Sequence, residues 1–388
     1  MDYNLVFRIF EAKPMIKRTL YQRISGQLFK GKAIIILGAR QVGKTTLLLE
    51  LQKKAGGKLL FLNADEPDVR ERLTNVTSSQ LKRLIGDHKL VVIDEAQRIK
   101  NIGLTLKLIT DKIKHVQVVA TGSSAFELAN EINEPLTGRK YEYSLFPVSV
   151  EEMIGHHGAV EEKRMLETRL IYGMYPEVIM NPGKEKKTLE NLAGSYLYKD
   201  IFSFQEIRRP EVVEKLLQAL ALQVCHEVSY NELAQIISAD PVTVERYMGL
   251  LEQSFVIFRL YSLSRNHRNE LKKSRKVYFY DNGIRNALIA NFNPLSLRQD
   301  TGALWENFMV NERMKHNHYN DIYCNRFFWR TLQQQEIDYI EEREGKLFAF
   351  EFKWNKKAKA KFPKTFASAY PKAEMKMITP DNYEEFVI

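Results

Sequence analysis

The sequence contains little cysteine and no long hydrophobic run. Cys225 and Cys324 are its only cysteines. They are too few for a disulfide framework, which indicates a reducing compartment. The longest apolar runs, such as residues 33–37 and 90–93, are far shorter than the roughly 20 residues that span a bilayer. Because the N-terminal residues carry charges and no long apolar stretch, a secretory signal is not expected either. These absences predict a cytoplasmic protein with no membrane partner.

Neither internal repeats nor low-complexity segments interrupt the 388 residues. The hydrophobic share of 44% and the charged share of 27% are typical of globular proteins. The length predicts two or three domains. The formal net charge of +10 favours a polyanionic partner such as DNA, but charge alone leaves that partner undecided.

Apolar strands alternate with helices over the first 150 residues. The strand-like runs lie at 32–37, 58–62, 89–93 and 116–121, and the intervening helical patterns lie at 44–54, 77–85 and 102–114. Strands that are apolar throughout and separated by helices predict a parallel sheet covered on both faces. We therefore predict an α/β fold for residues 1–150.

The first strand runs directly into a phosphate-loop motif. Residues 38–45 read GARQVGKT, which fits the pattern G-x-x-x-x-G-K-[ST] between a buried strand and an apolar helix. Backbone N–H groups in such a loop wrap a phosphate at a helix N-terminus. We expect Lys44 to reach the β- and γ-phosphates of ATP, and Thr45 to place its hydroxyl on Mg²⁺. The predicted nucleotide-binding residues are Gly38, Ala39, Arg40, Gln41, Val42, Gly43, Lys44, Thr45 and Thr46.

Two acidic residues follow the third strand. The apolar residues 90–93 place Asp94 at the carboxyl end of a buried strand, the edge at which open α/β sheets bind ligands. We predict that Asp94 holds Mg²⁺ through water and that Glu95 polarises the water that attacks the γ-phosphate. The alternative is that the two acids only begin a helix. Because a phosphate loop lies upstream, ATP hydrolysis is the favoured interpretation.

Two further residues are candidates for catalytic roles in the ATPase. Ser123, after the fourth strand, is the candidate sensor of the γ-phosphate, although capping a helix over residues 125–130 is an equal alternative. Arg139 is either an arginine finger or a surface cation. The sequence does not decide whether a finger would act in its own chain or on a neighbouring one, so a homo-oligomer is left open.

Four segments carry a resemblance to a known family. GARQVGKTT, LVVIDEAQ, ATGSSA and LTGRKYEYSLFPVSVEE are similar to the bacterial and archaeal AAA-type ATPases that end in a DUF4143 domain. The resemblance begins at Met15, which is therefore a candidate start, and it covers nearly all of the rest. It implies an AAA+-like ATPase domain at 1–150, a winged-helix-like domain at 226–300 and a small α/β restriction-endonuclease-like domain at 301–388. Between them, the sequence pattern itself predicts a helical lid region at 151–225, interrupted at Gly173, Pro176 and residues 182–183.

The middle of the chain has the spacing of a helix-turn-helix. Residues 230–234 open one helix, and residues 242–247 open a second helix after Pro241. Six basic residues follow between Arg265 and Lys276, with only Glu270 opposing them, as in a charged wing. Phosphate contact with DNA is one interpretation. A packing domain with a solvated basic face is the other.

Carboxylates and a lysine alternate near the C-terminus. Glu336, Asp338 and Ile340 are expected on one face of a strand, and a hairpin turning near 344–345 would bring Asp338 next to Glu351 and Lys353.

This arrangement resembles the PD-(D/E)XK nuclease pattern, in which Glu306 occupies the matching helical position. The resemblance implies a second metal site made by Glu306, Asp338 and Glu351, with Lys353 as the catalytic lysine. The alternative is a solvated hairpin in a domain without activity.

These features together predict a protein that binds and hydrolyses ATP with Mg²⁺ and couples turnover to a task on DNA. Two alternatives remain from the sequence. One is a nucleotide-switched scaffold for protein partners with an inactive nuclease-like domain, and the other is an ATP-gated, Mg²⁺-dependent nuclease.

Overall fold

Two β-sheets organise the protein, one towards each end of the chain. The computed structural model describes residues 15–56, 58–123, 132, 135–201, 207, 209–264, 274–359 and 361–388. Within these ranges, no helix is both long enough and apolar enough to cross a membrane.

The first sheet is wholly parallel. Its strands are β1 (Ala33–Leu37), β2 (Leu59–Asn63), β3 (Leu90–Asp94), β4 (Gln117–Gly122) and β5 (Lys140–Ser144). They stand in the order β2-β3-β4-β1-β5. All residues of β1 and β4 are buried, as expected of strands covered on both faces. The predicted parallel α/β fold is confirmed. Strand β5 is an addition to the prediction, because its sequence KYEYS has the polar, half-exposed character of an edge strand.

Short helices precede and connect these strands. They are α1 (Leu20–Ser25), α2 (Lys44–Ala55), α3 (Pro67–Leu73), α4 (Ser78–Ile85) and α5 (Ile102–Lys112), with a 3₁₀ turn at Ala96–Arg98. Thr77 and Gln80 form a reciprocal capping box that fixes the start of α4.

The next segment is helical, as predicted from its sequence. It contains α6 (Val150–His157), α7 (Ala159–Arg164), α8 (Leu166–Tyr172), α9 (Pro176–Ile179), α10 (Glu185–Asn191), a π-helical turn (Leu192–Leu197), α11 (Tyr198–Ile201) and α12 (Pro210–Leu222). Ser149 begins α6 through a capping box with Glu152. The same Glu152 carboxylate also contacts the N-terminal part of the chain.

The second sheet is mixed and is surrounded by the remaining helices. Its strands are β6 (Ile257–Ser262), β7 (Arg275–Phe279), β8 (Asn325–Arg330), β9 (Glu336–Arg343), β10 (Lys346–Phe352) and β11 (Glu374–Ile378), in the order β11-β10-β9-β8-β6-β7. The helices are α13 (Tyr230–Ile237), α14 (Pro241–Gln253), α15 (Asn282–Leu288), α16 (Thr301–Tyr319), α17 (Lys364–Ala369) and α18 (Glu384–Val387), with a 3₁₀ turn at Leu295–Leu297.

This sheet crosses the predicted domain boundary at residue 300. Strand β6 pairs with β8 in parallel, Tyr261 beside Phe327 and Ser262 beside Phe328. The strands expected in a separate winged-helix segment therefore share one sheet with those of the nuclease-like segment, and the structure does not divide the chain at 300. The sequence pattern could not reveal this pairing, because it joins segments far apart in the chain.

Helix α16 is buried along most of its length and reaches both sheets. Near its C-terminal end, the hydroxyl of Tyr319 accepts a hydrogen bond of 3.1 Å from the N–H of Phe146, just after β5. Near its N-terminal end, Glu306 accepts a hydrogen bond of 3.0 Å from Lys276 of β7. At a rise of 1.5 Å per residue, these two contacts are about 20 Å apart along the helix.

Candidate functional site

The phosphate loop links β1 to α2. Each of its two glycines is required by the local structure, for a different reason. A Cβ on Gly38 would lie 2.2 Å from the carbonyl oxygen of Leu145, so no larger residue fits there. Gly43 has a φ of 98°, a left-handed conformation that favours glycine. No side chain among the described residues caps the N-terminus of α2. A helix N-terminus of this kind is a ready site for an anion, which fits the predicted phosphate contact.

Lys44 is buried within this loop. Its ammonium donates to the carbonyl oxygen of Gly38 at 2.7 Å and to that of Ala39 at 2.9 Å. These bonds hold the cation at the loop, beside the position expected for the β- and γ-phosphates. Thr45 follows in the first turn of α2 with an exposed side chain. Cation, helix N-terminus and hydroxyl together fit the triphosphate of ATP with Mg²⁺.

Asp94 ends β3 and is bonded to the neighbouring strand β4. One of its carboxylate oxygens accepts a hydrogen bond from the hydroxyl of Thr121. Burial raises the pKa of Asp94, while this hydrogen bond opposes the rise. Strand β4 lies between β3 and β1, so Asp94 lies at the same carboxyl edge of the sheet as the phosphate loop. A divalent cation would stabilise its charged form, and Asp94 therefore fits the predicted Mg²⁺ role.

Glu95, Ser123 and Gln97 form one hydrogen-bonded cluster. The Ser123 hydroxyl donates to Glu95 Oε2 at 3.0 Å, and the Gln97 side-chain amide donates to the same oxygen at 2.6 Å. Glu95 has a φ of 52°, an uncommon conformation for a residue with a side chain, of the kind that clusters at functional sites. The structure thus brings the predicted base and the predicted sensor together. Ser124 and the helix that Ser123 was expected to cap lie outside the described residues.

The sequence prediction missed Gln97. Its Oε1 is buried and has no hydrogen-bond partner among the described residues. A buried polar atom without a partner is costly, and such an atom beside a reaction centre is suited to orient a water molecule. The signal in the sequence is its position two residues after Glu95, at the start of the 3₁₀ turn, although spacing alone does not show where the amide points.

Arg139 lies away from the phosphate loop. Its carbonyl accepts a hydrogen bond of 2.9 Å from the N–H of Ala33, the first residue of β1, whereas the phosphate loop follows the last residue of β1. The first and last residues of this five-residue strand are about 13 Å apart. The guanidinium forms a half-exposed ion pair with Asp111, 3.0 Å away. Action on the nucleotide of its own chain does not fit this geometry. A surface cation and a finger for a neighbouring chain are the interpretations that remain.

Arg18 is a second residue that the sequence did not single out. It is buried, and its guanidinium donates to Glu152 Oε1 at 3.0 Å and to the carbonyl oxygens of Val42 at 2.5 Å and Phe146 at 2.7 Å. The hydroxyl of Tyr319 lies 3.4 Å from the same guanidinium. Arg18 therefore ties the phosphate loop to α6 and to the C-terminal end of α16. A basic residue in an amphipathic segment gives no sequence signal for such contacts.

The structure brings together the residues predicted for a second site. The β9–β10 hairpin turns at 344–345, as predicted, and its register places Asp338 opposite Glu351. The ammonium of Lys353 lies 2.9 Å from Glu351 and 3.9 Å from Asp338. Glu306 approaches from α16, close enough for the charge of Asp338 to contribute to its raised pKa.

A register shift in β9 alters one part of that prediction. Trp329 of β8 pairs with Ile337, but Phe327 pairs with Ile340, so the register between the two strands slips by one residue. Ile337 and Ile340 consequently pack in the same hydrophobic cluster. The expectation that Ile340 shares the face of Asp338 is therefore wrong, because a bulge breaks the period-two alternation.

Lys276 belongs to this cluster and not to a basic wing. It is 2% exposed, and its ammonium contacts Glu306 and Glu336. Tyr278, two residues along β7 on the same face, donates its hydroxyl to Glu306 at 2.7 Å. The prediction that Lys276 contacts DNA phosphate is wrong, because long-range ion pairs bury its side chain. Arg275, the other described residue of the predicted wing, lies over the ring of Tyr230, with 4.0 Å between its guanidinium carbon and the ring centroid. The predicted wing residues at 265–273 lie outside the described residues.

Burial dominates the electrostatics of the second site. It raises the pKa of Glu306 to about 7 and that of Glu351 to about 7, although Lys276 and Lys353 respectively oppose the rise. Burial alone would lower the pKa of Lys276, but the carboxylates of Glu306 and Glu336 raise it above its usual value. Within the described ranges, no group of three or more His, Cys, Asp or Glu side chains is arranged to hold a metal ion. The carboxylates of this site are arranged around lysines, and the metal set predicted from Glu306, Asp338 and Glu351 does not fit the structure as it stands.

A basic segment borders the same site. Six lysines and no acidic residue occur from Lys353 to Lys364. Lys359 and Lys361 line an open groove of about 410 Å³ whose wall also includes Glu336 and Glu351. Exposed lysines therefore lie beside the carboxylate cluster in this groove.

The helix-turn-helix carries little positive charge on its described surface. Asp240 caps α14 by accepting a hydrogen bond of 2.8 Å from the N–H of Thr243. The exposed side chains at the start of α14 include Val242, Glu245 and Arg246, so a single cation lies beside a carboxylate. The two predicted helices are present as α13 and α14, and the β6–β7 pair follows them. DNA contact through this segment stays a prediction.

Three family models match successive parts of the chain. Residues 30–154 match an AAA domain, residues 163–295 match a domain of unknown function, DUF8612, and residues 301–385 match another, DUF4143. The resemblance to AAA-type ATPases with a C-terminal DUF4143 domain is confirmed at this level. The phosphate loop, Asp94, Glu95 and Ser123 all lie in the AAA match, and Glu306, Asp338, Glu351 and Lys353 lie in the DUF4143 match.

Relatives extend over most of the chain. An uncharacterized protein of Mycobacterium tuberculosis is 25% identical over 341 residues, which cover 87% of this chain and 74% of that protein. An uncharacterized protein of Haemophilus influenzae is 25% identical over 371 residues, covering 87% and 86%. Among solved structures, a Walker-type ATPase of Pyrococcus abyssi is 16% identical with a TM-score of 0.49, and the match covers 72% of this chain and 99% of that one. A likeness at this level says nothing about what this chain acts on.

Proposed function

Because the chain joins an AAA domain to a DUF4143 domain, we propose that it hydrolyses ATP at residues 38–45 and couples the turnover to a task on DNA. The observation that carries the ATPase part is the shared carboxyl edge of the first sheet, where Lys44 lies in the loop after β1 and Asp94 and Glu95 lie at the end of β3, with β4 between the two strands. Mg²⁺ bound with the nucleotide would neutralise charge on the β- and γ-phosphates. In this proposal Thr45 and Asp94 hold that ion.

The roles of the remaining groups follow from their contacts. Glu95 accepts the proton of the attacking water or orients that water, and Ser123 and Gln97 fix its carboxylate. Lys44 stabilises the charge that develops on the transferred phosphoryl group. Glycines at 38 and 43 let the backbone approach the phosphates, which is supported by the lack of room for a Cβ on Gly38 and by the φ of Gly43.

The DNA part rests on the basic segment after β10. Lys357, Lys359 and Lys361 are exposed, and neutralisation of backbone phosphates by such side chains gives most of non-specific DNA affinity. A nucleotide-switched scaffold for protein partners is the second candidate. It is favoured by one observation, the Arg18 contacts that connect the phosphate loop to α16, because such a connection could report nucleotide occupancy without any DNA.

ATP turnover measured with and without DNA, in one Mg²⁺ buffer, distinguishes the two candidates. The proposal expects turnover that DNA stimulates and that Lys44→Ala abolishes. Turnover that is indifferent to linear, branched and single-stranded DNA, in a protein with no salt-dependent DNA affinity, would favour the scaffold. No turnover under any of these conditions would contradict the ATPase assignment itself.

A further inference from the structure

Two lysines are embedded among four carboxylates in the second site. The ammonium of Lys276 lies 3.0 Å from Glu306 Oε1 and is also in contact with Glu336 Oε1. The ammonium of Lys353 lies 2.9 Å from Glu351 Oε2 and 3.9 Å from Asp338 Oδ2. The two lysines differ in burial, since the Lys276 side chain is 2% exposed and that of Lys353 is 46% exposed. Lys276 is thus an interior cation, whereas Lys353 lies at the groove.

One oxygen of Glu306 and one of Asp338 already accept hydrogen bonds. Glu306 Oε1 accepts from Lys276 and, at 2.7 Å, from the hydroxyl of Tyr278. Asp338 Oδ2 accepts a bond of 2.8 Å from the N–H of Phe352. A divalent ion in this place requires several oxygen ligands at roughly 2.0–2.6 Å. It would be repelled by the Lys276 ammonium, which contacts Glu306 Oε1 and Glu336 Oε1.

The position of Lys276 is fixed by its own strand. Lys276 and Tyr278 lie on the same face of β7, and both donate a hydrogen bond to Glu306 on α16. The ammonium of Lys276 also lies over the ring of Phe328, with its nitrogen 5.5 Å from the ring centroid. Burial by itself would favour the neutral amine, but the carboxylates of Glu306 and Glu336 reverse this and keep the pKa of Lys276 above its usual value.

We propose that the Lys276 ammonium takes the place of a divalent cation between Glu306 and Glu336, so that this nuclease-like site is closed to Mg²⁺ and Mn²⁺. The Lys276 ammonium then balances the negative charge of these carboxylates in place of a metal ion. Lys353 and the neighbouring lysines are left to contact phosphate without metal-dependent cleavage. The proposal stands independently of the ATPase and of its coupling to DNA, since it concerns only residues of the second sheet and α16.

Binding of Mn²⁺ to the nucleotide-free full-length protein, followed by electron paramagnetic resonance, tests this proposal directly. We compare the wild type with Lys276→Met, which keeps the length of the side chain and removes its charge. Lys276→Arg, which keeps the charge, is the matched control. Wild type and Lys276→Arg should bind no Mn²⁺ at this site. Lys276→Met should bind one further Mn²⁺ per chain, at Mn²⁺ concentrations at least about tenfold below the highest at which the wild type still leaves this site empty, because an ammonium no longer repels the ion. Adding Glu306→Gln to Lys276→Met should remove that ion.

Three results would overturn the proposal. The first is Mn²⁺ bound by the wild type and lost on Glu306→Gln, which would show an open metal site. The second is a folded Lys276→Met protein that still excludes Mn²⁺, because another feature would then keep the ion out. The third is Mn²⁺ bound equally by Lys276→Met and Lys276→Arg. If Lys276→Met does not fold, the comparison of the wild type with Glu306→Gln decides. A Mn²⁺ ion that the wild type binds and Glu306→Gln does not bind contradicts a closed site. The same Mn²⁺ binding in both proteins supports a closed site.

Discussion

Arg18 donates a hydrogen bond of 2.5 Å to the carbonyl oxygen of Val42, inside the phosphate loop, from a segment that precedes the first sheet. Its other contacts are to Glu152 and to the carbonyl oxygen of Phe146, so the guanidinium clamps the loop against the start of α6. A lysine has one cationic centre and cannot reproduce this fork of bonds. Arg18 is therefore a positioning residue for the nucleotide site, although it has no place in the motif.

Arg18→Lys should weaken ATP binding about tenfold while the chain still folds, since one or two hydrogen bonds of about 1 kcal/mol each are lost. The effect should fall on ATP affinity, or on KM, more than on kcat, because the reacting groups are untouched. Isothermal titration with a non-hydrolysable ATP analogue measures it. Arg23→Lys, five residues later in α1, is the control. Unchanged affinity in a folded Arg18→Lys protein would show that the clamp does not shape the loop.

Lys44→Ala should lower ATP affinity by about 100-fold or more, because hydrogen bonds to charged groups contribute about 1.5–3 kcal/mol each. The carbonyls of Gly38 and Ala39 lose their donor at the same time, so the loop itself is also perturbed. Equilibrium binding of a fluorescent ATP analogue gives the affinity. Lys54→Ala, at the far end of α2, controls for a general loss of positive charge. Full affinity in Lys44→Ala would disprove the assignment of the loop.

Glu95→Gln should keep ATP binding and slow hydrolysis by about 10²-fold or more, the usual contribution of a general base. The substitution is nearly isosteric, and its amide can still contact Ser123 and Gln97. Single-turnover hydrolysis separates the chemical step from nucleotide release. Ser123→Ala should slow the same step by less, because it removes a group that orients the base and leaves the base itself. A near-wild-type single turnover in Glu95→Gln would assign the base elsewhere.

Replacing Lys357, Lys359 and Lys361 together by Gln should reduce the salt dependence of DNA binding by roughly two to three units of slope, at about 0.9 per phosphate contact. All three side chains are exposed, so the fold should persist. Fluorescence anisotropy at several salt concentrations gives the slope. The matched control changes the exposed Lys184, Lys186 and Lys187 near the start of α10 to Gln, which removes the same charge elsewhere. Equal effects of the two triple variants would show that net charge, and not the groove, attracts DNA.

Local patterns were sufficient for the parts of the chain whose structure is locally determined. Residues 38–45 follow a buried strand and precede a helix, and the turn at 344–345 sets the register of Asp338 and Glu351. In both places, the interacting residues are close in sequence or joined by a tight hairpin. Period and spacing therefore carried enough information to predict their arrangement.

Contacts between residues far apart in the chain determine the environments of the other functional residues. These contacts could not be predicted from the sequence. In the sequence, Lys276 is one cation in a basic run. In the structure its side chain is buried and forms ion pairs with carboxylates on α16 and β9. Arg18 gives no signal because its partner Glu152 is over a hundred residues away. Arg139 resembles a finger in its motif, yet the pairing of β5 with β1 places it at the opposite end of the sheet. In each case the side chain alone is ambiguous, and topology decides.

His318 should make the free energy of unfolding depend on pH. Its Nε2 accepts a hydrogen bond of 3.0 Å from the N–H of Ser144, which requires the neutral ring. Burial, followed by the charge of Arg23, lowers the pKa of His318 from 6.5 to about 4, and the charged groups that also act on it are Asp321, Arg326 and Glu142. The unfolded chain therefore binds more protons than the folded chain between these two values. The stability from this group is present above the unfolded pKa and is lost as pH falls through the window.

Between pH 7 and pH 5 the loss should be about 2 kcal/mol, at about 1.36 kcal/mol per unit of pKa shift. Urea unfolding at both pH values measures this change in the wild type and in His318→Gln, which keeps a neutral polar side chain. The variant should lose about 2 kcal/mol less than the wild type over this interval, because a glutamine does not titrate. His226→Gln, at an exposed position, is the matched control and should behave as the wild type does. Since the carboxylates are common to all three proteins, their contributions cancel in the comparison. An identical pH dependence in the wild type and His318→Gln would show that the His318 ring is protonated without penalty in the folded chain, and its hydrogen bond to Ser144 would then have to be reassigned.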